Sequence, residues 1–434
     1  AEPEEITKEA ESSKGFFKKN TKKSGAGYDS TAKSKDMQDI IAFTGISKNL
    51  IEYGGSYYGA VLEIPPLEFR FFSEHRRNMS IENGLGRVLR SISPNYCANI
   101  VKLERPVQYS SYLDQEYDKL DRLKESYEKG MLTEEELKAR VEVLYDRLNE
   151  LNDMCTTDKV VAPFYYLVLY DSDRHQLEME VSNAIESLQA GEMDPHRLND
   201  KELAIFLKYS NQMDFDETDI DKIPPEAYAE WAMPQSVDIK MRSVEVNHII
   251  THNFCIMGYP AIVGDAWLAG VMSLSATKCV VKCKPMDRSK AIRAIDRSLQ
   301  ELRGQYMATN VDSKKIELQT HIDTLSELLV MLNQDNESLL EVNVYVTAYD
   351  MMRTEELYQV KYPESALVHI ANMKKLVRRI YQENGMRLHN MDFEQVQAFI
   401  GSQVSGYDPL AKEGRGIPSN TVAACYPWIF DHVS

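Results

Sequence analysis

Cysteine is scarce in this chain: six in 434 residues, at Cys97, Cys155, Cys255, Cys279, Cys283 and Cys425. So sparse a set is no disulfide framework, and it reads as reduced and cytoplasmic. No run of 18 apolar residues occurs, which leaves no segment that reads as a transmembrane helix. The N-terminus lacks the hydrophobic core of a signal peptide. The phosphate-cradling string G-x-x-x-x-G-K-[ST] is missing, as are G-x-G-x-x-G, G-x-S-x-G, H-E-x-x-H and the papain-type cysteine signature. The nearest glycine cluster, Gly84-Leu85-Gly86-Arg87, has no lysine and falls in a helical stripe. Positive charge is also in deficit. The net charge of −17 argues against non-specific nucleic-acid binding, and no aromatic RNP motif rescues that function.

What the chain has is enough material for two or three domains, with 43% apolar and 27% charged residues. Residues 1–36 cannot build a core: an acidic start (Glu2, Glu4, Glu5, Glu9, Glu11) gives way to Lys14-Gly15-Phe16-Phe17-Lys18-Lys19 and a Ser/Gly/Lys tract. This arm reads as solvated. Its alternative role is contact with an anionic membrane, worth about 1 kcal/mol per basic residue.

Ordered structure is expected from about Ile40. Leu50–Phe72 reads as strand with a turn or bulge at Gly54-Gly55, Ser73–Ser91 as helix, Tyr96–Tyr109 as strand. Residues 111–153 read as a charged helical hairpin broken at Gly130 and restarted by the capping box Thr133-Glu134-Glu135-Glu136. Val160–Tyr170 reads as a buried strand, with helices at Leu177–Leu188 and Asn199–Tyr209. The pattern restarts after residues 211–245: strand at His248–Tyr259, helix at Ala261–Met272, strand at Thr277–Lys284, long helices over Arg288–Leu332 interrupted near Thr309-Asn310, strand at Glu341–Tyr349, helix at Pro363–Asn384. The fold class is therefore α+β: two ferredoxin-like βαβ-type units with long helical insertions, in the pattern of an internal duplication. The expected domains are a disordered arm (1–36), a first unit (37–210), a linker (211–245), a second unit (246–412) and a connector (413–434).

Three clusters invite a metal or calcium reading, and each has a plainer one. Cys279 and Cys283 share a strand face without a second pair, so they read as core thiols. His248, His252 and Cys255 lack a fourth ligand and read as satisfied polar residues on a half-buried strand. Asp214–Asp221 has Asp219 where a calcium loop needs glycine and Pro225 where it needs glutamate, and reads as a solvated acidic linker. The charged helices at 111–153 and 287–333 read either as solvated faces or as arms for partner docking.

The second half carries a recognisable order of motifs. A strand ends in Tyr259-Pro260, and Gly264-Asp265-Ala266-Trp267-Leu268 opens a helix. Lys284-Pro285-Met286-Asp287-Arg288-Ser289-Lys290-Ala291 opens the long helix, and Gly416-Ile417-Pro418-Ser419-Asn420-Thr421 with Tyr426-Pro427 closes the region. Over about residues 45–434, best from 245 onward, this resembles the N-terminal region of the conjugation ATPase of type IV secretion systems, the fourth VirB component, in its Gram-positive versions. The resemblance implies a docking and assembly domain of a conjugative DNA/protein-transfer motor, peripheral at the cytoplasmic face of the membrane. Its implied partners are inner-membrane channel components and neighbouring motor subunits, with no sequence-specific nucleic-acid binding. It implies no catalytic, cofactor or metal residue in this chain, because the ATP- and Mg-binding ATPase domain would follow Ser434. The expected partner-facing residues are Phe16, Phe17, Lys18, Lys19, Tyr426, Pro427, Trp428 and Phe430. The competing reading is an enzyme of unrecognised type with a site between the two units.

Overall fold

The computed structural model describes residues 40–66, 72–106, 161–212, 215, 217–259, 264–334, 337–351, 353–355, 360–383, 385–411 and 414–425, with part of 119–148. In chain order the first half gives β1 (Gly45–Ser47), β2 (Leu50–Tyr53), β3 (Tyr57–Ile64), α1 (Glu74–Met79), α2 (Gly86–Ser91), β4 (Ala98–Pro106), β5 (Val161–Asp171), α3 (Arg174–Ala190), β6 (His196–Arg197), α4 (Asp200–Asn211) and α5 (Tyr228–Ala232). The second gives β7 (Val237–Ile239), β8 (Val244–Val246), β9 (Ile249–Gly258), α6 (Ala269–Met272), β10 (Thr277–Pro285), α7 (Arg288–Ala308), α8 (Asp312–Gln334), β11 (Leu339–Met351), β12 (Arg353–Glu355) and β13 (Val360–Tyr362). It continues through α9 (Pro363–Glu383), β14 (Arg387–His389), α10 (Gln395–Gly401), β15 (Arg415–Pro418) and α11 (Ser419–Ala423).

The α+β class holds, and the repeat is visible in the strand order. One antiparallel sheet runs β1-β2-β3-β5-β4-β10-β11-β9-β8-β7, with β6 beside β3, β14 beside β9 and β15 beside β11. Within it, β6-β3-β5-β4 and β14-β9-β11-β10 each have the order fourth, first, third, second of a β-α-β-β-α-β unit. The units meet edge to edge through β4 and β10, in the register Cys279↔Lys102 to Cys283↔Ala98. Each unit thereby covers an open edge of the other.

Alternation along the strands sends side chains to two faces. One face packs Ala98, Ile100, Cys279, Val281 and Cys283 under α2, α3, α6 and α9. The other packs Val101, Tyr166, Val280 and Tyr345 under α4, α5 and α10. A sheet covered on both sides shields nearly every side chain of its central strands.

Several local expectations are met and others corrected. Gly54 and Gly55 turn the chain between β2 and β3 with φ of 56° and 68°. The Ser73–Ser91 helix is interrupted by a π-helical stretch at Ser80–Leu85. There a side-chain carbon added on Gly191 would lie 2.7 Å from the Gly84 Cα atom, so Gly84 serves as a close packing contact between the π-helical stretch and the end of α3. The capping box at Thr133 forms, with the Glu136 amide donating to Thr133 Oγ1 and the Thr133 amide donating to the Glu136 carboxylate. The stretch read as a linker is folded: β7 and β8 extend the sheet beside β9. Likewise the acidic segment is not simply solvated. Ile220 is buried and Glu217 accepts from Arg105 at 3.2 Å. Apolar spacing in 211–245 is too short for a periodic signal, yet Ile220, Ala232 and Val244 are buried anchors. The connector also joins the core, through β15 on β11 and Val422 in the main cluster.

Candidate docking site

Asp287 starts the insertion of the second unit by accepting the Lys290 amide at 2.9 Å, as an N-cap should. Ala291, Ile295 and Leu299 then recur at helical spacing and bury against Ile322 and Leu332 of α8. The hairpin narrows to an unsupported tip, where Met307, Val311 and Ile316 are 83%, 58% and 69% exposed. On its outer face Lys290, Arg293 and Arg297 form a basic stripe with no carboxylate at ion-pair distance among the described residues.

A groove of about 470 Å³ separates this hairpin from β15 and α11. Trp267, Met286, Ile295, Leu328, Met331 and Ile417 supply its apolar wall, and Arg415 and Glu327 its polar rim. Its far wall is fixed to the core. The Trp267 indole donates to Thr421 O at 3.1 Å, and its ring meets Tyr259 edge-on at 5.9 Å. Glu337 caps the start of α11, accepting from the Asn420 amide at 3.3 Å and from the Ser419 hydroxyl. The Tyr259 hydroxyl is buried without a hydrogen-bond partner among the described residues.

The boundary between the two units is a seam of buried lysines. On one face Lys102 Nζ donates to Glu104 Oε1 (2.8 Å), Leu274 O (2.6 Å) and Thr277 O (3.0 Å). Glu104 in turn accepts from the Ala276 amide at 2.8 Å and the Tyr349 hydroxyl at 2.7 Å. Burial lowers the Lys102 pKa while Glu104 opposes the shift. On the other face Lys282 Nζ donates to Ser405 O (2.9 Å) and Tyr407 O (2.6 Å), and burial pushes it down to about 8. Lys278 donates to Ser210 O at 2.7 Å and is pushed down to about 7 by burial and then by Lys282.

The segment 402–410 lies over that face and ties the units together. Tyr53 Oη donates to Val404 O (2.8 Å), Asn99 Nδ2 to Ser405 O (2.9 Å), and the Cys97 amide to Gly406 O (3.0 Å). Asp408 accepts from Tyr345 Oη (2.5 Å) and Asn343 Nδ2 (2.8 Å). Paired strands and this strap fill the boundary between the two units. The lysines there are bonded to backbone carbonyls and to Glu104.

The residues singled out from sequence fall as follows. Phe16, Phe17, Lys18, Lys19, Tyr426, Pro427, Trp428 and Phe430 lie outside the described residues. Cys279 and Cys283 are core thiols, both raised by burial, Cys279 to about 12. His252 is fully buried, more than its strand pattern suggested, and its Nδ1 meets Arg242 O. Burial and then Lys374 lower it to about 4, so it is neutral near pH 7. Among the described residues no group of three His, Cys, Asp or Glu is placed to hold a metal. None of these helices is long and apolar enough to cross a membrane. Sequence reading missed the buried lysines and the groove. Lys278 and Lys282, four apart on an alternating strand, look like a solvent face until a second layer covers them. No family model matches the chain, and no curated protein matches it.

Proposed function

We propose that this chain is the docking and assembly domain of a conjugative transfer motor, held peripherally at the cytoplasmic face of a type IV secretion channel. The observation that carries the reading is the projecting α7–α8 hairpin, with its exposed apolar tip, basic stripe and adjoining groove, on two units joined in one sheet. Its buried core thins beyond Leu299 and Leu318, and the outermost side chains Met307, Val311 and Ile316 stay exposed, free for a partner. The motif order supports the same reading. Pro285 ends β10, Asp287 caps α7 and Pro418-Ser419 passes from β15 into α11, so the resembling residues sit at element boundaries.

On this reading the partners are inner-membrane channel components and neighbouring motor subunits, and ATP and Mg belong to a separate ATPase domain. The test reads the source gene past the codon for Ser434 and assays the 434-residue chain for ATP turnover. A frame continuing into G-x-x-x-x-G-K-[ST], with no turnover by the present chain, is the expected result. A stop codon there, or turnover by this chain alone, would overturn the proposal.

A further inference from the structure

We propose that the outer edge of the second unit, where the β7–β8 turn meets the 390–394 loop beside α9, is a contact face for an anionic phospholipid surface. Phe393 and Met241 enter the acyl boundary there, and Arg242, Lys374 and Arg378 meet the headgroups. The inference rests on the peripheral placement proposed above for its choice of surface. Its test is separate, because vesicle binding is read on this chain whatever follows Ser434.

Three segments build the face. The Phe393 amide donates to Met241 O at 2.8 Å, which joins the loop to the turn. Gln395 ties the same loop to β9, accepting from the Asn253 amide at 3.0 Å and donating to Asn390 O at 3.1 Å. On α9, Ile370, Met373 and Val377 are buried, whereas Leu367, Ala371, Lys374 and Arg378 follow one another at helical spacing along its flank. That flank reaches the loop and the turn. Burial lowers the Lys374 pKa, Asp392 opposes the shift, and Arg242 and Arg378 add to it.

The loop displays an aromatic side chain that folding does not use. Met391 and Phe393 both hold left-handed backbone, with φ of 52° and 68°, a conformation uncommon for bulky residues. Met391 is fully buried, so packing accounts for it. Phe393 is 70% exposed, and Met241 beside it is 58% exposed. Neither burial nor backbone preference favours phenylalanine at 393. Side chains so exposed protrude rather than enclose, and an aromatic with basic neighbours suits the membrane–water boundary, where its ring sits at headgroup level.

Charge selects an anionic surface. Arg242, Lys374, Lys375 and Arg378 have no carboxylate at ion-pair distance among the described residues. Glu245 pairs with Lys240, and Glu383 with Arg379 at 3.2 Å. That leaves Asp392, and Glu394 at 3.8 Å from His389, against four cations. The net charge of −17 acts across no more than a Debye length of about 8 Å at physiological salt, so this local excess governs the contact.

The test is sedimentation of the full 434-residue chain with vesicles of phosphatidylcholine alone, and with about one-third phosphatidylglycerol. The expected result is binding to the anionic vesicles that weakens with salt, and little binding to the neutral ones. Phe393→Asn keeps a left-handed backbone that asparagine tolerates, and should weaken binding at least about tenfold. Arg242→Gln with Arg378→Gln should weaken it about 25-fold, a factor of about five per basic residue. Lys290→Gln with Arg293→Gln on the α7–α8 hairpin should change it by less than about twofold. Cooperative urea unfolding shows that each variant is folded.

Absence of binding to the anionic vesicles would overturn the proposal, and weaker capture of an acidic Leu/Glu peptide by the same variants would then assign the face to a protein partner. Binding that both variants of this face leave intact would overturn it too, by placing the contact elsewhere in the chain. Equal binding to neutral and anionic vesicles would do the same, by removing the charge recognition.

Discussion

Lys278→Met should stabilise the protein at neutral pH and lose that advantage in alkali. An ordinary lysine titrates near 10.5, whereas burial brings Lys278 to about 7. At about 1.4 kcal/mol per pH unit, the folded state carries a penalty of about 5 kcal/mol for this group at and below pH 7. The sign follows from proton counting. Between pH 7 and 10.5 the unfolded chain holds a proton on Lys278 that the folded chain has released, so stability rises with pH across that window. Below it both states are protonated and the slope vanishes. Methionine matches the unbranched stem and carries no charge, but leaves Ser210 O without its donor, a cost of about 1–3 kcal/mol. The net gain at pH 7 is then about 2–4 kcal/mol, within the range for replacing buried charges by apolar groups. By pH 9.5 the penalty relieved has fallen to about 1 kcal/mol, and the variant should match or fall below the parent. Urea unfolding of both proteins at half-unit steps from pH 7 to 9.5 measures this difference directly, since other titrations cancel. A stability difference independent of pH, or a loss at pH 7 larger than at pH 9.5, would refute the reasoning.

Four further outcomes are expected. His252 titrates near 4 rather than 6.5, so its contribution is complete above pH 6.5 and is lost as pH falls toward 4; His252→Phe should remove about 3 kcal/mol of acid sensitivity from urea midpoints over that interval. Gly401→Ala would bring its new carbon within 2.3 Å of the Tyr345 ring, and should lower unfolding stability by about 1–3 kcal/mol in urea titrations. The thiols of Cys97, Cys255, Cys279, Cys283 and Cys425 are all buried, with Cys97 and Cys279 raised to about 12, so Ellman's reagent at pH 8 should label them only after unfolding. Excising residues 303–316 and closing the hairpin with a short Gly-Ser loop should leave urea stability within about 1 kcal/mol, because that tip buries little; collapse of the cooperative transition would show that it supports the core.

Local patterns were legible where periodicity was long. The strand carrying Cys279 and Cys283, the break between α7 and α8 near Thr309, and the doubled βαβ plan all read directly from spacing. Long-range pairing was not legible. Nothing in Ala98–Pro106 says that its free edge meets β10 rather than solvent, since edge and central strands differ in surroundings and not in period. The lysines of the seam were invisible for a related reason: an alternating polar face is written the same way whether water or a second layer of protein lies above it. Short elements such as β6, β14 and β15 fell below any periodic signal, although they complete each unit. The groove depends on three segments far apart in sequence, around Trp267, Leu328 and Ile417, so only the folded chain brings it into being.

The antiparallel junction of β4 and β10 makes the molecule a spacer with two opposed poles. The chain leaves β4 at Pro106 and β10 at Pro285 to build its two insertions, and the register places those exits at opposite rims of the sheet. Ten residue steps of about 3.4 Å separate them along the strands, or roughly 34 Å. A body gripping one insertion and a body gripping the other would be held at that separation by hydrogen-bonded strands. A push at one pole would reach the other as displacement of a stiff plate, not as bending of a linker.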